Sequence, residues 1–413
     1  MKRLSVLMAV CFVDMLGLML VAPLMAFYAL RLQAPEWLVG PLIASFAVAQ
    51  LISSPVWGKL SDRYGRRPAL LVGLGASAFA YLIFGFANSL WLLFASRIVQ
   101  GMGGGTTGVA QAYVADTMQP TERAKALGWL SAATSAGVVI GPFIGSVAHR
   151  FGTEVPGLVA AALVLINVGF AWGWLPESRV PHAHTTTPSG RYVPLPGGGG
   201  GGRSVKRALW EIARHPALPS HRVIWIYVVG MLALNVVIGV LALYLKDTYA
   251  VTEDTIGYFF PIFGIVGVLM RVWLVGWFNE RFGEVRTMQI GTVLLGLGLA
   301  LMPLPAVLVQ GGGAPAMALF IVFLVLVPMG TALLFPASTS LVSQRSDKEE
   351  VGLMMGAQQT FRGIMSIAGP VGATLAFDAF GHGVPFLLAA GIVGVAFVLA
   401  VREPRQAPVA ATA

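Results

Sequence analysis

The stretch Gly58-Lys59-Leu60-Ser61-Asp62-Arg63-Tyr64-Gly65-Arg66-Arg67 returns later in the chain as Gly276-Trp277-Phe278-Asn279-Glu280-Arg281-Phe282-Gly283-Glu284-Val285-Arg286. Both read glycine, three residues, an acid, an arginine, an aromatic and a second glycine, with basic character following. Each copy lies between two long apolar runs, so the pair marks equivalent turns in the two halves of a duplicated chain. A second echo is Gly141-Pro142 against Gly369-Pro370. Working outward from these turns, apolar runs cover about 5–27, 36–57, 69–88, 90–115, 125–148 and 155–175, then about 223–245, 254–278, 288–308, 314–342, 352–377 and 383–401. A bilayer core of about 30 Å takes about 20 apolar residues as a helix, and backbone amides in lipid must be satisfied inside a helix or a closed barrel. The runs are long and do not alternate, which selects helices. The expected fold is all-α and integral to the membrane, with twelve transmembrane helices in two pseudo-symmetric six-helix bundles around a central cavity. The fourth and tenth runs are long enough to require tilt or a projecting end.

Composition agrees with this reading. Of 413 residues, 56% are hydrophobic and only 11% charged, against about 25% charged in a soluble domain, so a soluble fold could not cover its surface. The 27 basic residues account for the net charge of +9, and their distribution sets orientation. Lys2, Arg3, the Lys59 to Arg67 loop, Arg123, Lys125, the central linker, Arg281, Arg286, Arg345, Lys348, Arg402 and Arg405 place 21 of them on the side of the N-terminus. Three lie opposite (Arg31, Arg150, Lys246) and three in mid-helix (Arg97, Arg271, Arg362). Both termini are therefore expected in the cytoplasm, with the chain in the cell membrane, and the basic character needs no nucleic-acid partner. Cys11 is the sole cysteine, which excludes a disulfide framework and a cysteine metal site. The first run is long, contains Asp14 and lacks an Ala-x-Ala site, so it reads as a retained helix rather than a cleaved leader.

Four segments are expected: a six-helix bundle at 1–176, a flexible cytoplasmic linker at 177–222, a second six-helix bundle at 223–402 and a tail at 403–413. The linker holds His182, His184 and the run Gly197 to Gly202, a composition that cannot build a packed core. Its end, Ser204 to Arg214, carries Leu209, Trp210 and Ile212 at helical spacing and suits the membrane surface.

The residues of these turns carry a resemblance. Segment 58–67 resembles the loop signature of the major facilitator superfamily, Arg97-Ile98-Val99-Gln100-Gly101 its fourth-helix motif, and Gly137 to Gly145, with Gly141 and Pro142, its fifth-helix antiporter motif. Asp14-Met15-Leu16-Gly17 with Pro23, and Ala115-Asp116 through Gly128-Trp129-Leu130, are similar to the tetracycline and multidrug proton antiporters. The resemblance implies a twelve-helix exporter working by alternating access.

Individual residues support specific roles. Asp14 is the only acid well inside a run, about ten residues or roughly 14 Å from the cytoplasmic end, and Arg97 enters from the other side to a similar depth; the two are expected to form a proton-coupling pair. A carboxyl in such a site exchanges a proton as its surroundings change. Asp62, just past the second helix, is expected to pair with neighbouring arginines and to meet the start of the third helix. With Gly58, Arg63, Gly65, Arg66, Asp116 and Arg123, and with Glu280 and Arg281 in the second half, it would latch one conformational state. The spacing of Gly137, Gly141 and Gly145 by four puts all three on one helix face for close packing, and Pro142 can bend that helix. Arg271 and Arg362 have no mid-membrane acid in their half and, with Asn235 and Gln358, are expected to line a substrate cavity; the competing reading has carbonyls and Gln358 satisfy Arg362 while Arg271 snorkels to the cytoplasmic side. Gly101 to Gly105 is glycine-rich but lacks the Gly-Lys-Ser/Thr end of a phosphate loop.

These residues point to a proton-coupled exporter of small amphipathic compounds, with the proton gradient as driving force and no cofactor, catalytic residue or metal. Lipid, protons and a small molecule are the expected partners, no nucleic acid is, and the protein is expected to be a monomer. A major facilitator uniporter or symporter for an organic anion or metabolite is the alternative. No cluster of His, Asp and Glu at membrane depth suggests an enzyme, and no ligand-binding domain suggests a receptor.

Overall fold

The computed structural model describes residues 2–178, 205–216, 218–309, 313–347 and 350–401. The linker histidines, the Gly197 to Gly202 run and the tail at 403–413 lie outside the described residues. Ten helices there are long and apolar enough to cross a membrane, and one of them, Glu253–Leu308, holds two crossings. The fourth crossing is split into Leu90–Gly103 and Thr106–Thr117, so neither piece is counted alone. The sum is twelve spans, six before the linker and six after.

The described residues divide into two compact units. The first takes the chain up to 178 together with Leu241–Gly264, and the second takes 205–240 and everything from Ile265. The end of the seventh span and the first half of the eighth thus belong to the first unit. Glycine explains part of this: Gly257 sits against the Pro142 carbonyl and Gly264 against Val139, where a side chain on either would collide.

In the first unit the fifth span (Pro120–His149) packs along the first (Leu4–Arg31). A methyl at Gly137 would lie 2.6 Å from the Phe12 carbonyl, one at Gly141 would lie 2.7 Å from the Leu16 carbonyl, and Gly145 meets the Leu20 carbonyl closer still. Backbone cannot move aside as a side chain can, so all three expected positions are obligatory contacts. The second unit repeats the device between the seventh span (Pro219–Tyr249) and the eleventh (Val351–Phe380): Gly369 faces Asn235, and Gly239 faces Pro370.

The fourth span departs from the expected tilted helix. It is interrupted at Gly104 and Gly105, which frees carbonyls inside the membrane. The second span (Glu36–Tyr64) supplies donors for them: Gln50 Nε2 to Gly104 at 3.0 Å, Ser53 Oγ to Gly101 at 3.1 Å and Trp57 Nε1 to Met102. Irregular backbone at this depth survives because neighbouring side chains complete it.

Turn geometry confirms the duplication. Gly65 adopts φ 104 and ψ 159, and Gly283 adopts φ 75 and ψ 163, a region in which glycine is the natural residue. Each turn redirects the chain from one span into the next.

Candidate functional site

The break in the fourth span builds the surroundings of Asp14. Thr106 is the first residue of the half-helix Thr106–Thr117, and its Oγ1 donates to Asp14 Oδ2 at 2.6 Å. The half-buried carboxyl therefore lies at a helix N-terminus, where the dipole favours negative charge. Arg97 does not pair with it. The Arg97 guanidinium, 3% exposed, donates to Gln100 Oε1 and lies 4.7 Å from the Phe46 ring centroid, while its Nε has no hydrogen-bond partner among the described residues. Gln100 Nε2 in turn donates to the Tyr81 hydroxyl at 2.7 Å, and that ring packs on Gly17, three residues beyond Asp14. The expected ion pair is therefore not formed among the described residues: Arg97 is engaged by Gln100 and Gln100 by Tyr81, while Asp14 is engaged by Thr106. Sequence reading missed Tyr81 and Thr106 because a tyrosine and a threonine inside apolar helices resemble ordinary packing residues.

The residues expected to form a latch are only partly brought together. Arg66, 8% exposed, donates from Nε to Asp116 Oδ2 at 2.8 Å and pairs through Nη1 with Asp62 Oδ1 at 2.8 Å and with Ser61 Oγ at 2.7 Å. The third span begins at Arg66, and its first amides go to Glu177, not to Asp62. The N–H groups of Arg66 and Arg67 donate to the Glu177 carboxylate at 2.8 and 3.1 Å. Glu177 lies just past the sixth span (Val155–Trp174), and no sequence signal tied it to this turn. Two expected members stand outside the cluster: Arg63 lies over the Tyr64 ring at 5.5 Å, and the Arg123 Nε donates to the Met118 carbonyl at 3.2 Å. Gly58 is exposed beside a cavity of about 350 Å³, also lined by Ser54, Trp57, Asp62, Arg66 and Gly104.

At the equivalent turn of the second unit the chemistry changes. Glu284 occupies the place of Arg66 and accepts from Gln344 Nε2 at 2.6 Å and Ser340 Oγ at 2.5 Å. Glu280 and Arg281 are exposed and make no ion pair among the described residues.

Of the expected cavity residues in that unit, two point elsewhere. Asn235 is buried and donates to the Met231 carbonyl of its own helix at 2.8 Å. Gln358 is 2% exposed and donates to Thr339 Oγ1 at 3.2 Å, so it does not satisfy Arg362. Arg271 and Arg362 are both exposed. Arg271 belongs to a π-helical turn, Met270–Leu274, inside the eighth span.

At the opposite ends of these spans from the Gly65 turn, a charge cluster ties the start of the eighth span to the first and fifth. Arg31 pairs with Glu253 at 3.1 Å and donates to His149 Nε2 at 3.3 Å, while His149 Nδ1 bonds Asp254 Oδ1 at 2.9 Å. Ser146 Oγ donates to the Glu253 carbonyl at 2.7 Å and accepts from the Gly257 amide at 2.8 Å.

A duplicated twelve-span fold, broken and glycine-packed helices and the paired Gly65 and Gly283 turns meet their counterpart in known proteins. The profile described as Major Facilitator Superfamily matches residues 7–273 and 223–413. The chain belongs to the major facilitator superfamily. Among its relatives are tetracycline resistance protein class G of Vibrio anguillarum, 28% identical and covering 89% of this chain and 88% of that one. Multidrug resistance protein 2 of Bacillus subtilis is 28% identical over 97% of this chain and 95% of its own. The crystal structure of the human organic anion transporter MFSD10 superposes with a TM-score of 0.65 at 20% identity, covering 97% of this chain and 99% of that one. At that identity the likeness speaks for the fold alone. The protein is a multi-pass membrane transporter of this superfamily, with tetracycline and multidrug resistance proteins as homologues.

Proposed function

We propose that this transporter is a proton-coupled antiporter that exports small amphipathic compounds, tetracycline-like molecules among them, by alternating access. In this reading it lies in the cell membrane with both termini in the cytoplasm, acts as a monomer, and needs no cofactor beyond the proton gradient. One observation carries the proposal: the Asp14 carboxyl lies within the first span, half-buried, with a neutral hydroxyl as its hydrogen-bond donor and no ion pair among the described residues. A carboxyl with a permanent cation would stay ionised; one held by Thr106 at a helix start has both protonation states within reach. The relatives, tetracycline and multidrug resistance proteins, support the substrate class. Transport by reconstituted protein, measured with tetracycline and a panel of lipophilic cations under an imposed pH gradient, tests it. Wild-type protein should accumulate substrate against its gradient, and Asp14→Asn should lose accumulation while retaining counterflow. Uphill transport by Asp14→Asn equal to wild type would remove Asp14 from coupling.

A second reading, transport of an organic anion by uniport or symport, draws support from Arg271 and Arg362, which face no acid. Substrate flux indifferent to the pH gradient would favour uniport.

A further inference from the structure

Four spans of the second unit converge at the level of Arg362. The seventh and eleventh meet through Trp225 and Phe361, whose ring centroids are 5.7 Å apart, and the seventh and tenth (Gly313–Arg345) through Tyr227 and Phe335 at 5.2 Å. Gln358, one turn before Arg362, reaches Thr339 on the tenth span. The eighth span is fixed by Met270, which is buried against Ala332 and Leu333 of the tenth. Arg271, the next residue, leaves this core on the π-helical turn, a feature that re-aims side chains and recurs at functional sites.

Met270 beside Ala332 and Leu333, Tyr227 beside Phe335, and Gln358, one turn before Arg362, beside Thr339 set Arg271, Tyr227 and Arg362 around one stretch of the tenth span, where the charge of Arg362 acts on both Arg271 and Tyr227. No carboxylate pairs with either guanidinium among the described residues. Like charges held together at membrane depth are costly unless water or an anion answers them. Asn235 and Gln358 donate to Met231 and Thr339, and among the described residues no protein acceptor meets either guanidinium or the Tyr227 hydroxyl.

We propose that Arg271, Arg362 and the Tyr227 hydroxyl form an oxyanion-binding site that takes the carboxylate or enolate of an otherwise apolar substrate. A carboxylate offers four lone-pair directions, enough for two guanidinium donors and one hydroxyl. This names the substrate chemistry within the exporter reading of the preceding section and rests on it. Arg271 lies nearer the cytoplasmic end of its span than Arg362, so a substrate arriving from the cytoplasm meets Arg271 first. The aromatic rings of Trp225, Phe335 and Phe361 supply apolar surface beside the charged end.

Binding of 1-naphthoate, its neutral amide and 1-naphthylmethylammonium to the purified full chain, followed by tryptophan fluorescence without a pH gradient, tests the site. Wild-type protein should bind the carboxylate at least tenfold more tightly than the amide. Arg362→Gln and Arg271→Gln should each weaken the carboxylate about tenfold to a hundredfold and leave the amide unchanged, and Tyr227→Phe should weaken it several-fold. Arg362→Lys, which keeps the charge, guards against misfolding and should retain most of the preference. Competition by inorganic phosphate at millimolar concentration, equal to that of naphthoate, would show a general anion site and overturn the substrate assignment. Equal binding of carboxylate and amide by wild type, or equal loss of both in the glutamine variants, would overturn the site itself. Because no gradient is used, proton coupling can fail in vesicles while this site stands, and the reverse.

Discussion

Asp14 and Thr106 form one unit, and the two substitutions that dissect it should differ in kind. Asp14→Asn keeps the shape and the contact to Thr106 but cannot take up and release a proton, so the proposed coupling should be lost outright. Thr106→Val keeps the carboxyl and removes a hydrogen bond to a charged group, worth about 1.5 to 3 kcal/mol. Gradient-driven efflux in vesicles should then slow by about tenfold while counterflow persists, and Thr106→Ser should restore it. An unaltered rate in Thr106→Val would mean that the hydroxyl only fills space. Asp14 was legible in the sequence because an acid inside an apolar run has no cheap structural reason to be there. Its partner was not, since a threonine in a helix leaves no trace of which way its hydroxyl turns. Arg97 shows the same limit: its depth was readable, but its engagement by Gln100, and that of Gln100 by Tyr81, depends on helix rotation, which a pattern of apolar residues leaves open.

Between elements, glycine decides where spans touch, and the same residue type should respond oppositely according to its neighbours. Gly141→Ala would press a methyl to 2.7 Å from the Leu16 carbonyl of the first span, and overpacking of this kind costs about 1 to 3 kcal/mol. Gly169→Ala, in the sixth span, meets nothing within 4 Å and should be neutral or slightly stabilising. Thermal unfolding in detergent separates them; equal melting temperatures would show that the first and fifth spans are not held by this contact. The Gly65 turn gives a second case. Gly65→Val would force a β-branched residue to φ 104 and into the Glu177 carboxylate, and Glu177→Ala would strip the start of the third span of its cap, at about 0.5 to 2 kcal/mol. Both should loosen the turn, seen as faster alkylation of a cysteine placed at Ser61, with the valine variant the more severe. Wild-type labelling in both would make this turn a topology signal only. The spans themselves were legible from length and hydropathy. The split of the fourth was not, because Gly104 and Gly105 break a helix only where Gln50, Ser53 and Trp57 stand ready to complete its carbonyls.

At the scale of the molecule, the duplication is preserved in backbone and abandoned in charge, and this asymmetry makes the last prediction. Sequence showed the repeat of acid, arginine, aromatic and glycine, but the grouping of 241–264 with the first unit depends on contacts that no single segment announces. The paired turns share glycines with positive φ, yet Arg66 gathers Asp62 and Asp116 in one unit while Glu284 accepts from two neutral donors in the other. Removing Arg66 takes their shared cation from two carboxylates whose side chains are 55% and 32% exposed. Full burial would put the loss at about 3 to 5 kcal/mol; with this much water it should fall to about 1 to 3 kcal/mol. Glu284→Gln keeps an acceptor for Ser340 or Gln344 and should cost under about 1 kcal/mol. Arg66→Ala should therefore alter cysteine accessibility at this turn and slow transport at least several-fold, whereas Glu284→Gln should leave both near wild type. The Arg66→Ala and Asp116→Asn changes, combined, should cost less than their sum because they break one shared interaction. Equal effects at the two turns would mean that the ionic cluster adds nothing to the latch beyond what the glycine geometry already provides.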